Sequence, residues 1–356
     1  MLASETSAST YRADIDGLRA IAIIAVILFH INQSWIPGGF AGVDIFFVIS
    51  GYLISSHIFS ELDANTFSLA RFYERRIRRI FPALAVVMGV VTIASLCLFL
   101  PTELIAFGKS LAAASLSGSN ILFWRESGYF QLDSQLKPLL HTWSLAVEEQ
   151  FYILFPCFLL ILRRILPRYV APMIVLAWTT SFALIVWATT HGQDTAGFFL
   201  LPTRAWELLS GSCLALGLLR LPETTLTANI LATAGIAAIL GSCFLMTPQR
   251  AHLGAWLIIP VLGAAALIHS TSKTSFVNRV LTTRMFVFLG LISYSLYLWH
   301  WPVFVFTRYV LIEEPGMISI SLMLAVTLLI SVLSWKFIEK PFRNKNRTYN
   351  RTKVFG

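Results

Sequence analysis

Chemistry in this chain would start from Arg19 and His30. Eleven residues, about three helical turns, separate them. Both therefore project from nearly the same face of one apolar helix, roughly 16 Å apart along its axis. A fixed positive charge followed by a titratable imidazole on one stripe is costly in hydrocarbon, so the pair needs a functional reason. The next apolar run supplies Asp44. It follows the turn at residues 35–39, which contains Pro37-Gly38-Gly39, by the same short interval at which His30 precedes that turn. The two should lie at similar depth on adjacent helices, where the carboxylate could orient the imidazole.

Further polar groups recur at helical spacing in apolar surroundings. His141, Ser144, Glu148 and Tyr152 fall on one face, with Glu149 and Gln150 pointing elsewhere. Arg204 and Glu207 open another apolar run, and Tyr294, Tyr297 and His300 share a third stripe that leads into Trp301-Pro302. On hydropathy these groups map to the outer half of a membrane and outline a chamber open to that side. His300 also suits an interfacial aromatic anchor. A separate run, Arg75-Arg76-Ile77-Arg78-Arg79, places Arg75 and Arg79 on one face with Arg76 beside Arg79. Arginines so placed can hold phosphates bidentately, or simply anchor a cytoplasmic loop.

Several chemistries lack support. Gly108-Lys109-Ser110 misses the first glycine of a phosphate-binding loop. There is no Gly-x-Ser-x-Gly elbow and no metal-ligand spacing. Cys97, Cys157, Cys213 and Cys243 are scattered through apolar runs and read as small packing residues.

The elements that must position these groups are membrane helices. The chain has 356 residues, 56% hydrophobic and only 13% charged, against about 25% charged in soluble domains. Its net charge of +9 on so apolar a chain argues for basic cytoplasmic loops and against nucleic acid. Apolar stretches near 15–35, 40–60, 80–100, 142–162, 170–190, 203–220, 226–246, 254–270, 286–311 and 317–337 are each able to cross a bilayer. The expected fold is therefore an all-α integral membrane protein, a bundle of about ten transmembrane helices. The segment 101–141 carries Glu103 and Lys109 and is read as an outer re-entrant stretch. With it outside and both termini inside, 21 of the 27 Lys and Arg residues fall on the cytoplasmic side, a strong positive-inside bias. Residues 1–345 form the membrane domain and 346–356 a basic cytoplasmic tail.

Six ordered motifs resemble the membrane acyltransferase-3 family over residues 11–345. Tyr11 to Ala20 looks like its opening, with Arg19 and His30 as the family's Arg-x10-His pair. Gly42 to Leu53, containing Asp44, is similar to its second-span signature. Arg75, Arg76 and Arg79 before Pro82 look like its cytoplasmic arginine motif. His141 to Tyr152 looks like the fourth-span signature, and Ile292 to Pro302 and Glu339 to Arg343 look like the closing ones.

The resemblance implies an O-acyltransferase of the bacterial inner membrane. It would move an acyl group, usually acetyl, from cytoplasmic acyl-CoA to a hydroxyl of a cell-surface polysaccharide or lipid-linked glycan, such as lipopolysaccharide O-antigen. Many relatives carry an extracytoplasmic SGNH-type domain after the last motif; here it would be absent or a separate protein. On this reading Arg75, Arg76 and Arg79 hold the donor's phosphates and Arg19 steers the donor inward. His30 acts as general base or transient acyl carrier, and Asp44 or Glu148 orients it. A transporter or flippase for acyl groups or lipid-linked sugars, without chemistry, is the rival reading.

Overall fold

The computed structural model describes residues 11–127, 136–219, 221–247, 254–270, 275–311 and 315–343; the 346–356 tail lies outside these. Among the described residues every regular element is a helix. The chain opens with α1 (Ala13–Ile31), followed after the Pro-Gly-Gly turn by α2 (Gly42–Asp63). The long α3 (Leu69–Leu98) starts with the arginine run and contains Pro82. Two shorter helices, α4 (Pro101–Ser115) and α5 (Ser119–Glu126), lead to α6 (Thr142–Ile165). Then come α7 (Val170–Thr190), the short α8 (Asp194–Phe199), α9 (Leu201–Ala215) and α10 (Thr225–Leu245). The last third comprises α11 (Ile258–Ser270), α12 (Phe276–Leu281), α13 (Arg284–Leu291), α14 (Ser293–Leu311) and α15 (Met317–Ser334). A π-helical turn at Trp335–Glu339 and the one-turn α16 (Lys340–Arg343) close the described chain.

Among the described residues, six helical segments, those built on α2, α3, α6, α7, α10 and α15, are long and apolar enough to cross a membrane. A seventh span arises if α13 and α14, bent by 65° at their junction, count as one. The expected number was ten. The difference lies in α1, α9 and α11, which hold charged groups or are short. Within its first seven residues, α1 carries Asp14, Asp16 and Arg19. Helix α9 has 15 residues with Arg204 and Glu207 inside it, and α11 has only 13. The 101–141 stretch forms α4 and α5, with 128–135 outside the described residues.

Close packing replaces length in positioning α9. At Gly51 of α2 an added Cβ would stand 1.8 Å from the carbonyl oxygen of Leu208, and at Gly211 of α9 it would stand 2.1 Å from that of Val48. Backbone meets backbone there, which only small residues permit. Ser55 Oγ donates to Ser212 Oγ at 2.7 Å across the same seam. The crossing carries Asp44 and Arg204 on its two partners. A second anchor ties α6 to the 101–141 region. Glu149 accepts from Ser117, and Gln150 Nε2 donates to Asn120 Oδ1 at 2.8 Å and to the Ser117 carbonyl at 2.9 Å. These two side chains, turned away from the Glu148 face, hold the α4–α5 hairpin against the bundle.

Candidate active site

Two cavities lie end to end in the bundle, one at the Arg19 end of α1 and one at its His30 end. The first has a volume of about 100 Å³ and is lined by Arg19, Ser50, Arg76, Arg79, Glu148, Tyr152 and Tyr294, among others. Glu148 Oε1 accepts from Ser50 Oγ at 2.9 Å and Oε2 accepts from the Tyr152 hydroxyl at 3.1 Å. Arg19 Nη1 is 3.3 Å from Asp16 Oδ1. Arg76 Nε is buried with no partner among the described residues. Three guanidiniums thus border one cavity whose lining holds a single carboxylate. Such a site favours an anion with several oxygens, because each guanidinium offers a rigid fork of donors.

The arginine run divides here. Arg76 and Arg79 border the cavity, whereas Arg75 is held by Glu61 at the end of α2, with N–O separations of 2.9 and 3.0 Å. Arg78 bonds to Glu74 at 3.0 Å. Glu148, Tyr152 and Tyr294, expected in the outer chamber with His30, lie instead with Arg19. One turn along each helix decides this. In α6, His141 and Ser144 precede Glu148 and Tyr152, and the helix runs from the His30 end toward the Arg19 end.

The second cavity, about 410 Å³, is lined by His30, Asp44, His141, Arg204, Phe198 and Trp301, among others. Trp301 packs edge-on against His30, with ring centroids 4.8 Å apart. Behind them His300 lies 5.3 Å from the His30 ring and 5.9 Å from that of His141. His300 Nδ1 is 2.7 Å from the carbonyl oxygen of Tyr297, which puts a proton on that nitrogen. His30 Nδ1, both ring nitrogens of His141 and His300 Nε2 are buried without partners among the described residues. His30 and His141 line the cavity with His300 behind them, so its imidazole wall suits a polar ligand. No group of three side chains able to hold a metal ion occurs among the described residues.

Asp44 shares this cavity with His30, but its carboxylate is bonded to Arg204, Oδ1 to Nη2 at 2.7 Å. Arg204 Nε also lies 3.2 Å from Glu207 Oε1, and all three side chains are at most 2% exposed. The guanidinium sits 5.6–5.7 Å from the ring centres of Phe47, Trp143 and Phe198. Asp44 is therefore a member of a buried ion cluster, and the groups nearest the His30 ring are aromatic and imidazole.

The cavities meet at two residues that line both, Val43 and Tyr297. The Tyr297 hydroxyl donates to the His141 carbonyl at 2.8 Å and is 2.6 Å from Ser144 Oγ. This ring and its two bonds stand between the guanidinium cavity and the imidazole cavity. Arg19 and His30, one stripe of α1, face the two different cavities.

With this geometry in view, the relatives are informative. A family profile described as an acyltransferase domain matches residues 12–336. The chain belongs to the membrane acyltransferase-3 family. It is 36% identical over 363 residues to peptidoglycan O-acetyltransferase OatA of Listeria monocytogenes, covering 97% of this chain and 58% of that protein. It is 34% identical over 351 residues to O-acetyltransferase OatA of Staphylococcus aureus, covering 94% and 58%. The chain thus spans about three fifths of the length of these curated relatives. No solved structure matches it.

Sequence reasoning singled out Arg19, His30, Asp44, Glu148 and the arginine run as an acyltransferase-3 site. It did not place Arg204, Glu207, Tyr297, His141 or His300 in roles. The Arg204–Glu207 pair at i, i+3 inside an apolar helix was the available signal for the first two. Nothing in the spacing shows that His300 and His30 meet, because 270 residues separate them.

Proposed function

We propose that this acyltransferase-3 protein is an O-acetyltransferase of the bacterial inner membrane, taking acetyl from cytoplasmic acetyl-CoA and delivering it to a hydroxyl of a cell-wall glycan outside. The observation that carries this reading is the pair of cavities meeting at Tyr297, one bordered by guanidiniums and the other by imidazoles. Arg76, Arg79 and Arg19 take the donor's phosphates at the cytoplasmic end, and the small volume of the cavity they border, about 100 Å³, favours an acetyl over a long acyl chain. The name of the Listeria relative favours peptidoglycan as the acceptor over the O-antigen that the motifs alone suggested. In the topology that goes with this reading, ten segments traverse or enter the membrane, both termini are cytoplasmic and 101–141 dips back from outside. An extracytoplasmic SGNH-type protein or domain could serve as a further acceptor.

The transfer itself needs a base, an electrophile and a place for charge. His30 accepts the proton of the acceptor hydroxyl as its oxygen attacks the acetyl carbonyl carbon; the carbon–sulfur bond breaks, CoA leaves as thiolate toward the guanidiniums and takes a proton from solvent, and the His30 imidazolium gives its proton back to solvent, which restores the base. His300 and Trp301 fix the His30 ring. To reach His30, the acetyl group must pass Tyr297. Glycans from cells with and without the gene test the reading. Loss of ester-linked acetyl from peptidoglycan in the deletion, restored by the gene, is the expected result. An unchanged acetyl content in every surface glycan would overturn it.

A further inference from the structure

A third cavity, about 600 Å³, opens beside the two that the transfer uses. That size falls within the roughly 300–1,000 Å³ of small-molecule sites. It is lined by Phe99, Glu103, Phe107, Arg125, Lys137 and Tyr309, among others. Its end of the bundle is defined by Arg308, whose Nη2 lies 3.3 Å from the carbonyl oxygens of His30 and Ile31. Tyr309, the next residue, lines the cavity, so the cavity sits at the His30 end. The wall between it and the imidazole chamber is thin. Trp301 Nε1 donates to the Lys137 carbonyl at 2.8 Å while the Trp301 ring packs on His30.

The lining has the chemistry of a site for an anionic sugar. Phe99 lies 5.0 Å from Tyr309 and 6.4 Å from Phe107, ring centre to ring centre, and these rings offer flat apolar faces for pyranose rings. Glu103 Oε2 takes the Tyr309 hydroxyl at 2.7 Å and the Leu100 amide at 2.8 Å, which fixes the carboxylate and leaves Oε1 for a sugar hydroxyl. Lys137 is occupied by Glu126 and lies 5.6 Å from the Phe123 ring centre. Arg125 is exposed at the rim and has no partner among the described residues. Four ionisable walls exclude a lipid tail, whose burial there would strand them. A guanidinium at the rim takes an oxyanion, which on an amino-sugar strand is a carboxylate.

We propose that this cavity is a subsite for the sugars flanking the acceptor hydroxyl and takes an amino-sugar strand carrying carboxylates, one of which meets Arg125. The proposal rests on the acetyltransferase reading and adds where the polymer lies. The test is calorimetric titration of the purified full chain with two tetrasaccharides. One is the uncharged N-acetylglucosamine tetramer; the other alternates N-acetylglucosamine with N-acetylmuramic acid bearing free carboxylates. The charged strand binds the wild type at least tenfold more tightly, and Arg125→Ala lowers that preference to near unity without moving the thermal unfolding midpoint. Equal affinity of the wild type for both strands, or a preference that survives Arg125→Ala, overturns the subsite. Acetyl transfer from acetyl-CoA, measured on the same preparation with both strands, separates the two readings. Transfer with no role for Arg125 sinks the subsite alone, whereas no transfer to either strand sinks the acetyltransferase reading together with it.

Discussion

At the scale of residues, the site is a division of labour that adjacent arginines make visible. Arg76 borders the donor cavity and Arg75, one position earlier, is clamped by Glu61. Arg76→Ala should raise the KM for acetyl-CoA about tenfold or more with a smaller change in kcat, because a charge-assisted phosphate contact is removed. Arg75→Ala should leave that KM within about twofold, since a partly exposed ion pair contributes little. Initial rates over a range of acetyl-CoA concentrations check both; equal effects of the two variants would return the arginines to a purely topological role. His30→Ala should abolish transfer while the protein still inserts and migrates as a single species on size exclusion. Retained activity in that variant would remove His30 as the base. The sequence disclosed the residue types well and their partners poorly. Asp44 looked like a partner for His30 because a tight turn joins their helices, yet Arg204, 160 residues away, holds its carboxylate. A buried charge takes whichever opposite charge the tertiary packing brings to it, and turn geometry carries no information about that.

At the scale of elements, glycine contacts and one ion cluster fix the relation of α2 to α9. Gly51→Leu should prevent the crossing, since its Cβ would fall 1.8 Å from the Leu208 carbonyl oxygen, a distance no side-chain carbon tolerates. Loss of the monodisperse peak in detergent measures this, and a normally folded Gly51→Leu protein would show that the crossing is not structural. Arg204→Met leaves Asp44 and Glu207 buried without a counter-charge and should destabilise the fold by about 3–5 kcal/mol. Replacing Asp44, Arg204 and Glu207 together by apolar residues of similar size should cost less than that single change. Thermal unfolding of the two variants compares them, and a milder single variant would deny that the cluster acts as a unit. Helix count was only partly readable. Apolar length finds α2, α3, α6, α7, α10 and α15, but α1, α9 and α11 are short or carry buried charge, and their membrane depth depends on neighbours that satisfy those charges.

At the scale of the whole molecule, charge distribution and cavity placement agree on a direction. The basic residues of the α3 run stand at the Arg19 end, and the imidazoles and the two larger cavities stand at the other. Family motifs were legible across nearly the entire chain because each is a local string. That they fold into two compartments separated by Tyr297 was not, because His141, Ser144 and Tyr297 come from helices 150 residues apart. On this arrangement acetyl crosses the membrane through these compartments to a glycan on the far side. Purified protein in sealed vesicles, oriented with the arginine end outward, tests this transfer. Labelled acetyl-CoA is supplied outside and a peptidoglycan-strand oligosaccharide is trapped inside. Covalent label on the trapped oligosaccharide, absent with His30→Ala, is the expected result. Label that never enters the vesicle lumen, or that enters without becoming bound to the sugar, would contradict it.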